Sequence, residues 1–269
     1  MITIGVCAGV AILAWSVGPR LLTVSRWQVR FPRLALAAWH IVLGLGLFAL
    51  LGAVIAAVAS TISAGNAADA TAGIVQTLIG WAALAAVGGG LVILGTSSDE
   101  LVGAGRRTFD DVLSLPHTRE RLDRRTALIT CRSDEPFACA LPGPDAAVVV
   151  STRLREILTK EQLRAVVAHE RAHLRGRHYL AIRVAELNRA CLPSSRAATQ
   201  LLRSSSLLVE LIADDHAARR AGAVHLANAL VTVASHTHDS LMELRAERLA
   251  ERSWSPARKL APAGTILQF

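Results

Sequence analysis

The segment Val167-Ala168-His169-Glu170-Arg171-Ala172-His173 sets two histidines four residues apart with a glutamate beside the first. On an α-helix, positions i and i+4 lie one above the other on one face, so both imidazoles can reach a single metal ion. Zinc suits such donors, and Glu170 would then stand beside the open coordination position as a general base. A catalytic zinc site usually holds three protein ligands, and Leu208-Val209-Glu210-Leu211-Ile212-Ala213-Asp214 offers the third on a second helix. Glu210 and Asp214 share one face at i, i+4 amid Leu207, Leu208, Leu211, Ile212 and Ala213. A carboxylate in such surroundings is costly without a cation, which a metal would provide. In this reading Glu210 binds the metal, and Asp214 accepts a hydrogen bond from a ligand histidine and fixes its tautomer.

The pattern requires a helix, and the flanks supply one. Thr159-Lys160-Glu161-Gln162 reads as a capping box, and Leu163, Val166, Val167 and Ala168 continue with helical spacing to about Gly176. Upstream, Pro142-Gly143-Pro144-Asp145 marks a turn between two short strands, within a small sheet expected at about 126–151. Helices around a small sheet make the fold class α+β. The interval from His173 to Glu210 is interrupted by Arg183, Glu186, Arg189, Arg196 and Arg203, which reads as soluble helices. Residues 221–238 are uncharged but contain His225, Asn228, His236 and His238; this too reads as a soluble helix, a fourth membrane span being the alternative.

Charge divides the chain of 269 residues in two. Residues 1–98 hold Arg20, Arg26, Arg30 and Arg33 against Asp69, and the other charged side chains all follow. Three uncharged stretches in the first part each suffice to cross a hydrocarbon core of ~30 Å, and helices are expected at about 2–18, 36–60 and 74–95. The expected organisation is a transmembrane region at 1–98 and a metal-binding domain at 99–269. The four arginines between the first two spans place that loop in the cytoplasm, with the amino terminus outside and the domain after residue 98 cytoplasmic. Trp15, Trp27, Phe31 and Trp39 cluster around this loop as interfacial anchors. Four cysteines without a C-x-x-C pair suit that compartment as free thiols. Gly5 and Gly9 form a GxxxG in the first span, a surface for close helix packing or homodimerisation. The 52% hydrophobic composition excludes a disordered chain. The net charge of +8 is dispersed, with no long basic run or aromatic interleaving, which argues against direct nucleic-acid binding.

These motifs in order, Phe137-Ala138-Cys139-Ala140-Leu141-Pro142-Gly143, Val148–Ser151, the HExxH helix and Glu210-x-x-Ala213-Asp214, resemble the gluzincin membrane zinc metallopeptidases. The likeness spans Phe137 to Ala218 and extends to the HtpX and CAAX prenyl protease group and to the related beta-lactam sensor-transducer antirepressor peptidases. It implies one zinc ion per chain held by His169, His173 and Glu210, with Glu170 as general base and acid and Asp214 in support. It also implies that Phe137, Ala138, Cys139, Ala140 and Leu141 form the edge strand along which a peptide lies extended.

The expected activity is a membrane-bound zinc endopeptidase of the cell membrane that hydrolyses cytoplasmic or membrane proteins. Regulatory cleavage of a partner such as a transcriptional repressor is the first use; quality control of membrane proteins is the second. A catalytically silent scaffold is disfavoured, because a structural site has no use for a general base. His178, Tyr179, His216 and Arg219 are candidate donors to the transition-state oxygen by their nearness in sequence.

Overall fold

The computed structural model describes residues 2–23, 27–64, 70–143 and 145–254. Arg26 of the arginine loop, Asp69 and Pro144 of the turn lie outside them. Two compact units emerge, Met1–Gly103 with Ala181–Leu208, and Ala104–Leu180 with Val209–Phe269. The segment Ala181–Leu208 thus groups with the N-terminal helices.

In the first unit, α1 (Ile2–Ser16), α2 (Gly18–Thr23) and α3 (Trp27–Arg30) precede α4 (Pro32–Ala64) and the start of α5 (Ala70–Ser114). Three apolar stretches are long enough to cross a membrane: Ile2–Thr23, Pro32–Thr61 and Thr71–Thr96. The second and third stretches run past the expected 36–60 and 74–95, whereas α1 ends at Ser16, ahead of Gly18-Pro19, and α2 continues the first apolar stretch to Thr23. Pro32 is tolerated at the first position of α4, and α5 continues through charged residues until Pro116 disfavours helix at the residue before it. Ile41, Phe48, Leu78 and Trp81 are all more than 60% exposed, an apolar surface that water would not tolerate and lipid would. Trp39 is buried among Ala35, Leu43, Ala185, Leu201 and Leu208, which ties α8 (His178–Cys191) and the first half of α9 (Arg196–Ala221) to α4. Close approach of α1 to α4 depends on Gly46, where a Cβ would strike the Trp15 indole, rather than on Gly5 or Gly9, which face open space.

The second unit is built on a four-stranded sheet in the order β1-β2-β4-β3, with β1 (His117–Arg121), β2 (Ala127–Cys131), β3 (Ala138–Leu141) and β4 (Ala147–Ser151). The β2–β4 pair is parallel and the other two pairs are antiparallel. The sheet starts earlier than the expected 126, because β1 is an exposed edge strand of sequence HTRER without the apolar alternation that marks a strand. The central β4 is wholly buried. Its last residue, Ser151, accepts hydrogen bonds from the Phe137 and Leu154 N–H groups at 3.1 Å each, fixing the start of β3 and capping α6 (Thr152–Ile157).

One sheet face, Leu128, Val148 and Val150, packs against Leu163 and Val167 of α7 (Lys160–Gly176) and Ala229 and Val233 of α10 (Ala223–Thr237). Thr159 caps α7 through the complete capping box expected, with Gln162 reaching back to the Thr159 N–H at 2.8 Å. Among the described residues α10 is not one of the helices long and apolar enough to span a membrane. It serves the core, with α11 (Ser240–Glu251) packed against it through Leu226, Leu230, Ala246 and Leu249.

Candidate metal centre

Helix α7 enters the site with His169 6% exposed and Glu170 and His173 partly buried. The helical spacing brings the two Nε2 atoms to 3.0 Å of each other. From α9, the Glu210 carboxylate lies 3.3 Å from Nε2 of His169 and 3.5 Å from Nε2 of His173. A tetrahedral zinc ion with donors at ~2.0–2.1 Å holds its ligand atoms about 3.4 Å apart, so these three side chains fit the ion. The donor set fits as well, since two imidazole lone pairs and a carboxylate facing one another repel unless a proton or a cation lies between them.

Asp214, one turn along α9 and fully buried, approaches the opposite nitrogen of the His169 ring. Its Oδ1 is 3.0 Å from Nδ1, although the ring N–H is not well aligned with it. Such a carboxylate favours the tautomer with the proton on Nδ1 and leaves Nε2 as a donor to metal. Behind the other ring, His178 Nδ1 lies 3.3 Å from His173 Nδ1, with the rings edge to face at 4.9 Å between centroids. Because partners of this kind hold ligand imidazoles in place, His178→Ala is expected to weaken metal binding by roughly 10- to 100-fold, measured by competition with a chromogenic chelator.

The sequence reading missed Arg245 of α11. Its Nε donates to Asp214 Oδ2 at 2.8 Å and its Nη2 to Oδ1 at 2.7 Å, while Nη1 lies 3.0 Å from Glu210. Beside the cation expected from a metal, an arginine thus neutralises part of the charge of these carboxylates. Arg248 of α11 and Arg252, the residue that follows the helix, pair with Asp215 at 2.7 and 3.3 Å. Arginines at this spacing following an Asp-Asp pair were the available signal, but they read equally as a solvated helix face.

The electrostatics follow from burial and from these partners. Burial opposes a charge on His169, yet the Asp214 and Glu210 carboxylates beside its two ring nitrogens override it and raise the group to about 10. Burial and then the neighbouring charge of His169 lower His173 to about 4. Without metal, His169 is therefore the one of the pair that takes up the additional proton. Burial raises Glu170, while the Ala140 N–H of β3 donates to its carboxylate and resists that rise.

The predicted edge strand is β3, whose outer side is unpaired among the described residues, with Phe137 immediately before it. Ala138, Cys139 and Ala140 are partly buried, and burial, the Glu170 charge and Cys131 push the Cys139 thiol up to about 11, where it is inert as a nucleophile. Of the candidate oxyanion donors, His178 sits behind His173, Arg219 lies over the Trp254 ring at 5.8 Å, and Tyr179 is 46% exposed. His216 is partly buried.

The profile of one protein family, peptidase family M48, matches residues 123–258, half of the chain, and the match contains every residue of this site. No curated protein and no solved structure matches the chain.

Proposed function

Because the chain belongs to peptidase family M48, a metallopeptidase family, we propose that it is a membrane-bound zinc endopeptidase in which His169, His173 and Glu210 hold the metal and Glu170 is the general base. The observation that carries this reading is the convergence of those three ligand side chains next to Glu170, which itself is bonded to the edge strand. A zinc ion held there would supply Lewis acidity to the scissile carbonyl and to the attacking water.

The chain's own residues do the rest. An extended substrate adds to the open side of β3, its backbone bonding to the strand and its scissile carbonyl brought to the metal position. Glu170, oriented by the Ala140 N–H, takes a proton from water as the C–O bond forms and delivers it to the amine as the C–N bond breaks. Asp214 and Arg245 keep His169 and Glu210 in register while this happens.

Arg26 and Arg30 between the first two apolar stretches, with Arg20 and Arg33 at their facing ends, support an orientation with this site on the cytoplasmic side. The substrates are then cytoplasmic or membrane proteins, and we assign the enzyme to regulatory cleavage of a partner such as a transcriptional repressor, with quality control as the rival use. Incubation of the purified protein with unfolded casein and with candidate repressors tests this. Cleavage abolished by a chelator and restored by zinc is expected, selective for a repressor in regulatory use and general in quality control. Metal-independent cleavage would refute the mechanism.

A pH dependence follows. Glu170 must be ionised to act as base, and burial raises it above the ordinary 4.5, so activity is present above its folded-state pKa and lost as pH falls through it. The acid limb of kcat/KM should therefore report the loss of this base, and it should persist where zinc occupancy, measured at each pH, remains constant.

A further inference from the structure

A second concavity lies on the face of α7 turned away from the histidines. Glu161, Arg164, Ala168 and Arg171 recur every three or four residues along that face, about half a turn around the helix from His169 and His173. With Leu122 and Leu128 on one side, and Arg220, Ala221 and His225 on the other, they enclose a cleft of about 390 Å³. That is the size of a small-ligand site.

Its charge is unbalanced. Arg164, Arg171 and Arg220 line the cleft, and the charges of Arg171 and Arg220 both bear unfavourably on Arg175, one turn further along α7. Among the described residues the wall holds one acid, Glu161, and Asp123 beside it is paired with Arg171. Three guanidinium groups line the cleft against that one carboxylate, beside His225. Each of these guanidinium groups is a planar fork that matches two oxygens of a phosphate where a lysine would offer a point charge. The remaining wall is apolar, formed by Leu122, Leu128, Val167, Ala168 and Ala221.

We propose that this cleft binds a phosphate group carried on a small organic or lipid body, as a site separate from the metal centre. It touches the helix that presents both histidines, so a ligand there rests on the back of the active-site helix.

The test uses the full chain in neutral detergent, titrated calorimetrically with inorganic pyrophosphate and, separately, with short-chain phosphatidylglycerol below its micelle concentration. Phosphatidylcholine of the same chain length, which has no net negative charge, controls for detergent-like binding. Saturable binding of one anionic probe is expected, weakened at least about tenfold by Arg164→Gln combined with Arg220→Gln. Glu161→Gln, which removes the acid in the wall, should strengthen it and serves as the test if the arginine pair fails to fold. Saturation by pyrophosphate points to a soluble phosphate compound, and saturation by phosphatidylglycerol alone points to a lipid headgroup; both support the site. No saturable binding of either probe, or binding indifferent to these substitutions, overturns it. Binding is read without substrate turnover, so its failure would leave the peptidase reading untouched.

Discussion

Glu170→Gln is expected to lower peptide hydrolysis by about 10²- to 10⁴-fold while the metal stays bound. The amide keeps the volume of the side chain but has no basic oxygen with which to take a proton from water. It retains an oxygen to accept the Ala140 N–H, so the edge strand and α7 should keep their relation. None of the three metal ligand side chains is altered, and zinc content should equal that of wild type. Initial rates on a cleaved substrate, normalised to bound zinc, give the answer. A variant retaining more than about a tenth of wild-type turnover would place the base elsewhere.

Arg245→Ala should have the largest effect on stability. Asp214 is fully buried, and two donors from Arg245 are its best-aligned partners. Removing one member of such a buried pair costs about 3–5 kcal/mol, because the other charge remains where water cannot reach it. Burial pushes Asp214 up, but hydrogen bonding from Arg245 and then from His169 overcomes this and holds it well below the usual carboxylate range. The sign of the pH dependence follows: this group's stabilisation is fully present above its unfolded value of 3.8 and is lost as pH falls through the lower folded value. Denaturant titration at neutral pH should show the loss in Arg245→Ala, and the deficit should shrink as Asp214 protonates in acid. Adding Asp214→Asn to Arg245→Ala should cost less than the sum of the two single changes, since the residues share one interaction.

What the sequence disclosed and what it concealed have physical reasons. His169, Glu170 and His173 were legible because chemistry and helical period coincide in five residues, and Thr159 and Gln162 announce the helix that carries them. Glu210 and Asp214 were legible because carboxylates among leucines and alanines need an explanation. Arg245 was not: a helix with charges on one side usually presents them to solvent, and only the packing of α11 against α10 turns this arginine towards the site. Strand β1 was hidden because both its faces are polar and exposed, so its register comes from pairing with β2 and not from its own pattern. That Ala185, Leu201 and Leu208 bury Trp39 was concealed by Arg183, Arg196 and Arg203, which lie on the opposite faces of α8 and α9.

The most direct measurement is the zinc content of the purified chain and of two variants, quantified by mass spectrometry on protein of known concentration. Wild type and Glu170→Gln should each carry about one zinc per chain, and Glu210→Ala should lose it, since a two-histidine site lacks the third ligand that catalytic zinc requires. Equal zinc in all three, or none in the wild type prepared with zinc present, would contradict the assignment of His169, His173 and Glu210 as the metal site.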